Sequence, residues 1–307
     1  MPCPHCRQPS ALVKKGFFSR KVEYSRKVQR FLCRRCHRYS SEQTGTISHG
    51  QRRPELHKVV YALLVSGVSQ RRIAFLAGTT QSTVARKLVR LSRFATIAQC
   101  ERLADLSGTV SVSVFDEMET FEHSKCKPLS IAVAVEEGSR YMFGAAVARM
   151  PAKGKLAAIA RKKYGRRPDG RNAALAKMMA AIAQVAGPDL TVKSDQCPRY
   201  PKAVREHLPG AKHVTYKGRR GCVVGQGELK RGGLDPLFSL NQSCAMVRDN
   251  LKRMTRRTWC TTKRPDRLQC LLNLYLCFHN ALIDKKLSRE PPPTGRQLIQ
   301  LSAGAAM

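Results

Sequence analysis

The chain has 307 residues, 42% of them hydrophobic, which is enough for two or three small domains, one of them with a sizeable core. Lys and Arg number 56 against 21 Asp and Glu, a net charge of +35 that calls for a polyanionic partner, nucleic acid first among them. No apolar run is long enough to span a bilayer, and the opening MPCPHC lacks the apolar core of a signal peptide. A membrane partner is therefore not expected. A cytoplasmic location is, with the 12 cysteines reduced.

The excess charge is steepest at the front: residues 1–100 hold 20 Lys or Arg and three acids, Glu23, Glu42 and Glu55. Residues 1–50 read as a zinc ribbon. Cys3 and Cys6 form CPHC, and Cys33 and Cys36 form CRRC. Two cysteines separated by two residues bring both thiolates to one ion, and two such knuckles complete a closed four-sulfur site for structural Zn2+. Mixed apolar and basic residues between the knuckles suit a hairpin. A segment this polar needs the metal in order to fold.

Residues 51–98 read as a helix-turn-helix. Leu56, Val59, Val60, Leu63 and Leu64 recur at helical spacing up to Gly67. Ser69 caps a short second helix that stops at Gly78, and Thr79 or Thr80 caps a third, QSTVARKLVRLSRFA. In that unit the last helix lies in the major groove. Gln81, Ser82 and Thr83 would then face base edges, with Arg86, Lys87 and Arg90 on phosphates or bases.

Residues 109–283 read as an α/β catalytic domain. TVSVSVF is a strand ending at Asp116, LSIAVAVE and RYMFGAAVARM form a hairpin turning at 137–140, and helical sequence follows to about 187. DLTVKSD is a strand ending at Asp195, RYPKAVREHL a helix and AKHVTYK a strand. A glycine-rich loop spans 218–233, and a long helix covers roughly 239–257. That succession is the order of the RNase H-like fold. If the first and fourth strands are neighbours, Asp116 and Asp195 emerge at one edge, as two Mg2+ or Mn2+ ions require for an in-line displacement at phosphorus. Three residues compete to be the third ligand: Asn241 on the long helix, Glu228 in the glycine-rich loop, and Asp249. Glu117 is expected to point away from Asp116 into solvent, and Trp259 either stacks on a base or anchors the core. A closing helix, PDRLQCLLNLYLCFHNALI, precedes a loosely ordered tail at 284–307.

FDEMETF, SDQCPRYP, GQGELKRGGLDPLFSLN and VRDNLKRMTRRTWCTTKRPDRL resemble the DDE-type insertion-sequence transposases that carry an N-terminal zinc ribbon and helix-turn-helix, over about residues 1–283. The resemblance implies a bacterial protein acting in the cytoplasm beside the nucleoid. It implies 3′-end cleavage and strand transfer by a homo-oligomer on double-stranded DNA, with terminal inverted repeats at the element's ends and a target duplex. It also implies Asn241 in the place of the third acid, and Arg248, seven positions on, with Lys252 beside it, on DNA. Two other readings stay open: a catalytically impaired, transposase-derived DNA-binding protein, and an RNase H-like nuclease without strand transfer.

Overall fold

The computed structural model describes residues 2–9, 11–20, 26–217, 235–255 and 259–287. Glu228 and the glycine-rich loop lie outside the described residues. The chain begins with a small antiparallel sheet of β1 (Leu12–Arg20), β2 (Arg26–Cys33) and β3 (Tyr39–Ser41), in that order. Pairing of Leu12 with Cys33 and of Leu32 with Tyr39 brings the CRRC knuckle alongside CPHC.

Three helices follow: α1 (Leu56–Val65), α2 (Gln70–Leu76) and α3 (Gln81–Asp105). Ser69 Oγ accepts from the Arg72 amide and Thr80 Oγ1 from the Thr83 amide, so both caps form as their side chains dictate. Gly67, at φ 75°, makes the turn after α1, and a Cβ there would meet the Asn250 carbonyl oxygen at 2.4 Å. Only glycine fits both the conformation and the space. Expected to close near residue 98, α3 runs on unbroken to Asp105, because Ala95, Ala98 and Leu103 extend its buried face and Gln99 donates to the Met142 carbonyl. The boundary drawn at 98 thus falls inside a helix.

The larger sheet contains β4 (Val110–Phe121), β5 (Pro128–Glu136), β6 (Met142–Arg149), β7 (Ala186–Asp195) and β8 (Lys212–Tyr216), ordered β6-β5-β4-β7-β8. β4, β5 and β6 are antiparallel neighbours, while β7 runs parallel to β4 and β8 parallel to β7. One face is covered by α5 (Arg171–Val185) and α6 (Tyr200–His207), through Phe115, Leu175, Met178, Met179 and Val204. The opposite face packs Val114, Met118, Ile131 and Val133 against α7 (Phe238–Asn250) and α8 (Pro265–Leu287), in a core that also takes in α1, α2 and α3. A further helix, α4 (Leu156–Tyr164), stands between β6 and α5.

The free edge of β6 is covered rather than left open. Asn280 on α8 accepts from the Met142 amide and donates to its carbonyl, and Gln269, three turns earlier, accepts from the Val147 amide and donates to the Ala145 carbonyl. Two side-chain amides thus stand in for a neighbouring strand. α7 ends at Asn250, earlier than its sequence pattern indicates. Asn250 Nδ2 turns back to the Met246 carbonyl, and its own carbonyl abuts Gly67.

Candidate active site and metal centre

At the N-terminus the four sulfurs of Cys3, Cys6, Cys33 and Cys36 all lie within 4.8 Å of one another. Cys3 to Cys36 and Cys6 to Cys33 are each 3.7 Å. A tetrahedral zinc with Zn–S of about 2.3 Å sets its sulfurs about 3.8 Å apart, so the thiols stand at the separation the ion demands. The knuckle amides of His5 and Cys36 donate to Cys3 and Cys33 sulfurs, which favours the thiolate forms. Among the described residues no other group of three or more His, Cys, Asp or Glu has metal-site geometry.

Asp116 lies within β4, which continues five residues past it to Phe121, so it does not end a strand as its sequence suggests. The parallel pairing of β4 with β7 runs through Val114 opposite Lys193. Continued for two more residues, that register would set Asp116 beside Asp195, the last residue of β7. The proximity shows in the electrostatics. Burial pushes the Asp116 carboxyl up to about 6, the Tyr200 hydroxyl and the Glu117 amide pull it down, and the negative charges of Asp195 and Glu117 add to the rise. Tyr200 Oη donates to Asp116 Oδ1 at 2.8 Å, and Asp195 Oδ1 accepts from the Cys197 amide at 2.9 Å. Each carboxylate therefore has one oxygen fixed by the protein.

Glu117 points to the other face, as strand alternation requires, but it is buried rather than solvated, with a side chain 8% exposed. It pairs with Arg199, accepts from Ser130 Oγ at 2.6 Å, and lies 3.5 Å from Tyr200 Oη. Sequence reasoning does not single out Arg199 and Tyr200. The signal for them is their place directly after Asp195 in SDQCPRYP, at the turn into α6, whose first residue is Tyr200.

On α7, buried Cys244 is the residue tied to Asp116. Its thiol is pushed up to about 12 by burial, with Arg248 opposing the rise and Asp116 reinforcing it. Arg248, one turn on, is half-buried. Asn241 is exposed one turn before Cys244, and its Nδ2 donates to Asp235 Oδ2 at 2.8 Å, while Asp235 Oδ1 accepts from the Leu237 amide. Cys244 is thus the α7 side chain whose electrostatics register Asp116, while Asn241's direct partner is another carboxylate, Asp235. Asp249 is exposed, as are Lys252 and Trp259, the last at 103% exposure, which removes it from any core.

At the start of α3, Gln81 and Ser82 are exposed and Thr83 is half-buried, the two hydroxyls clustering with Thr80 Oγ1 at 2.9 and 3.0 Å. Arg86 is exposed. Lys87 and Arg90 turn inward. Lys87, 3% exposed, donates to the Arg53 carbonyl at 2.6 Å, and burial brings its ammonium down to about 8. Arg90 donates to the Ile47 and Thr46 carbonyls. Both tie the segment leading from the ribbon to α3, and of the two it is the Lys87 ammonium that is buried.

Among the described residues no helix is long and apolar enough to cross a membrane. Comparison with protein-family profiles gives no match, and none is found among curated proteins. A cryo-EM structure of a piggyBac transposase synaptic complex with hairpin DNA is similar over 81% of this chain and 69% of that chain, at 10% identity and a TM-score of 0.37.

Proposed function

We propose that the chain is a DNA transposase of DDE type with Asn241 in the third position, built as a zinc ribbon (1–50), a helix-turn-helix from residue 51 whose last helix runs on to Asp105, and an RNase H-like catalytic domain (109–283). The observation that carries this reading is that Asp116 and Asp195, each two residues past the Val114–Lys193 pairing of two adjacent parallel strands, lie close enough for the charge of one to act on the other. The strand order β6-β5-β4-β7-β8, with α5 and α6 on one face and α7 and α8 on the other, agrees with an RNase H-like arrangement.

Two half-buried carboxylates side by side repel one another, and a hard cation relieves both the repulsion and the desolvation. Bound there, Mg2+ or Mn2+ supplies Lewis acidity at phosphorus and neutralises charge on the entering and leaving oxygens. The chain's own residues do the placing. Tyr200 holds Asp116 Oδ1, the Cys197 amide holds Asp195 Oδ1, and Asp235, by accepting from the Asn241 amide, leaves that residue's carbonyl oxygen as its free ligand atom. Asp235 also sets beside Asn241 a negative charge that asparagine lacks. Gln81, Ser82, Thr83 and Arg86 at the start of α3 would read the element's ends, with Arg248 and Lys252 on the strand being cut. The zinc ribbon plays a structural part, and homo-oligomers on DNA, acting in the cytoplasm, complete the reading.

The test is cleavage of duplexes carrying the gene's own flanking ends by the purified protein, with Mg2+ or Mn2+ and with neither. Metal-dependent nicking at the element boundary is expected, falling about 10³-fold or more in Asp116→Ala and Asp195→Ala while DNA binding persists. If both variants still cut, the assignment of the site is wrong. Nicking without joining to a second duplex would leave a plain nuclease.

A further inference from the structure

Between Glu137 and Asp169 the chain carries nine Lys or Arg and no acid. Most of these cations fall in 151–167, where the chain leaves β6, forms α4 and turns into α5. α4 buries a single residue, Ala160, and its last turn carries Arg161, Lys162 and Lys163, all exposed. A nine-residue helix burying one alanine gains little from the hydrophobic effect. Ion pairs flank it on both sides. Lys153, ahead of the helix, meets Glu119 at 2.9 Å, and Arg167, behind it, meets Glu122 at 2.9 Å. The second pair is only 13% exposed on each side. Lys127 adds a third tie, with its Nζ 4.2 Å from the centre of the Tyr164 ring.

Glu119 lies inside β4, two residues before its end, and Glu122 just past it, three and six residues beyond Asp116, or about 10 and 20 Å along the strand direction. A hollow of about 400 Å³ opens against the helix, lined by Arg161, Tyr164, Arg166 and Arg167 together with Cys126 and Pro151. Gly165, at φ 71°, makes the turn that sets Arg166 on the rim of this hollow. The segment 151–168 contains no Asn, Gln, Ser, Thr, Asp or Glu, so apart from its cations it has few means of reading base edges.

We propose that residues 151–167 form a groove for the phosphodiester backbone of duplex DNA, gripped without regard to sequence and separate from the contact made by α3. The proposal rests on the reading of the Asp116–Asp195 rim as the point where DNA is cut. The groove's position along β4 then suits it to hold the duplex that continues past the cleavage point, whether the element's flank or a target. A partner read through guanidinium and ammonium groups alone is recognised by its regular negative charge, which duplex DNA presents along its whole length.

The experiment compares two triple variants of the full chain by equilibrium binding to a random-sequence duplex over a range of salt, without divalent metal. One is Arg161→Ala, Lys162→Ala, Arg166→Ala. The other, a control of equal charge change, is Lys202→Ala, Arg205→Ala, Lys212→Ala, which removes exposed cations from α6 and β8. In the first, the slope of log affinity against log salt should shrink by about 2–3, at about 0.9 for each phosphate no longer neutralised, and affinity should drop at least about tenfold. The control should change little, and preference for the element's own ends should survive in both. An unchanged slope in the first variant overturns the groove. So does an equal loss in the control, which would show only a response to total charge, and so does equally tight binding of polyglutamate. Because the readout needs no metal, a wild-type protein that binds in this way but never cuts would sink the catalytic reading and leave the groove standing.

Discussion

Among the described residues of the N-terminal ribbon the apolar side chains that reach burial are Cys3, Val28 and Cys33, two of them belonging to the sulfur cluster, while Phe17 is 63% exposed. Around the larger sheet, by contrast, two cores line opposite faces, and Asp116 and Asp195 sit on strands that such packing already fixes. The two regions relate to metal in opposite ways. In the ribbon the ion would take the place of a core, so binding and folding are one event. At the aspartate rim the fold comes first and holds the Asp116 carboxyl where burial and the nearby Asp195 work against its charge, so a cation relieves a strain that folding has already built in.

The sharpest way to break this comparison is to remove zinc. Chelation, or Cys33→Ser, should unfold β1 to β3, costing on the order of 10 kcal/mol of metal-linked folding free energy, and leave the melting of the rest of the chain nearly unmoved. Calorimetry would show loss of one transition only. A single transition shifting as a whole would make the ribbon part of the main core.

The opposite behaviour is expected at the rim. With the folded Asp116 carboxyl at about 6 against 3.8 unfolded, its contribution to stability is present below about pH 4 and lost as pH rises through about 6. Asp116→Asn should therefore stabilise the metal-free protein at pH 7 by about 2 kcal/mol, allowing for partial exposure, and the gain should vanish near pH 4. Mg2+ should raise the melting temperature of the wild type and not of the variant. A variant less stable than wild type at pH 7 would mean that Asp116 is not strained.

Asp235→Asn tests the link from Asp235 to Asn241. Roughly tenfold weaker Mg2+ affinity is expected, partly restored by Asn241→Asp in the same chain, with melting nearly unmoved because the substituted side chain keeps an Oδ1 that can accept from the Leu237 amide. The smallest effects separate two neighbours on α3. Arg86→Ala should weaken binding to the element's ends by about 1–3 kcal/mol without changing stability, and Lys87→Met should leave that binding within about twofold. Reversal of those two results would return Lys87 to the DNA surface.

Much of the fold is legible in the sequence because its signals are local. Ser69 and Thr80 announce their helices, β-branched alternation marks β4, and the CxxC spacing marks the ribbon. Sequence and structure part where tertiary contacts decide. Helix α3 reads as QSTVARKLVRLSRFA with the domain closing at 98, yet it continues through Gln99, which is buried and donates to the Met142 carbonyl. Lys87 and Arg90 read as groove-facing cations because nothing local reveals the backbone carbonyls of Arg53, Thr46 and Ile47 waiting for them. At the site, Asp116 and Asp195 stand out by strand position, but the burial of Glu117 depends on Arg199, which is distant in sequence, and Asn241's partner Asp235 becomes visible only once α7 is placed.

The length of α3 has a consequence for how far from a recognised sequence the protein would act. Twenty-five residues at about 1.5 Å each make a rod of about 37 Å, one end at the expected groove contact and the other buried beside the large sheet. No hinge interrupts it, so the number of base pairs between a bound terminal sequence and the scissile bond would be set by a ruler and not by a tether. One alanine inserted in its middle, which turns the far end by about 100°, would displace the cut rather than merely weaken it.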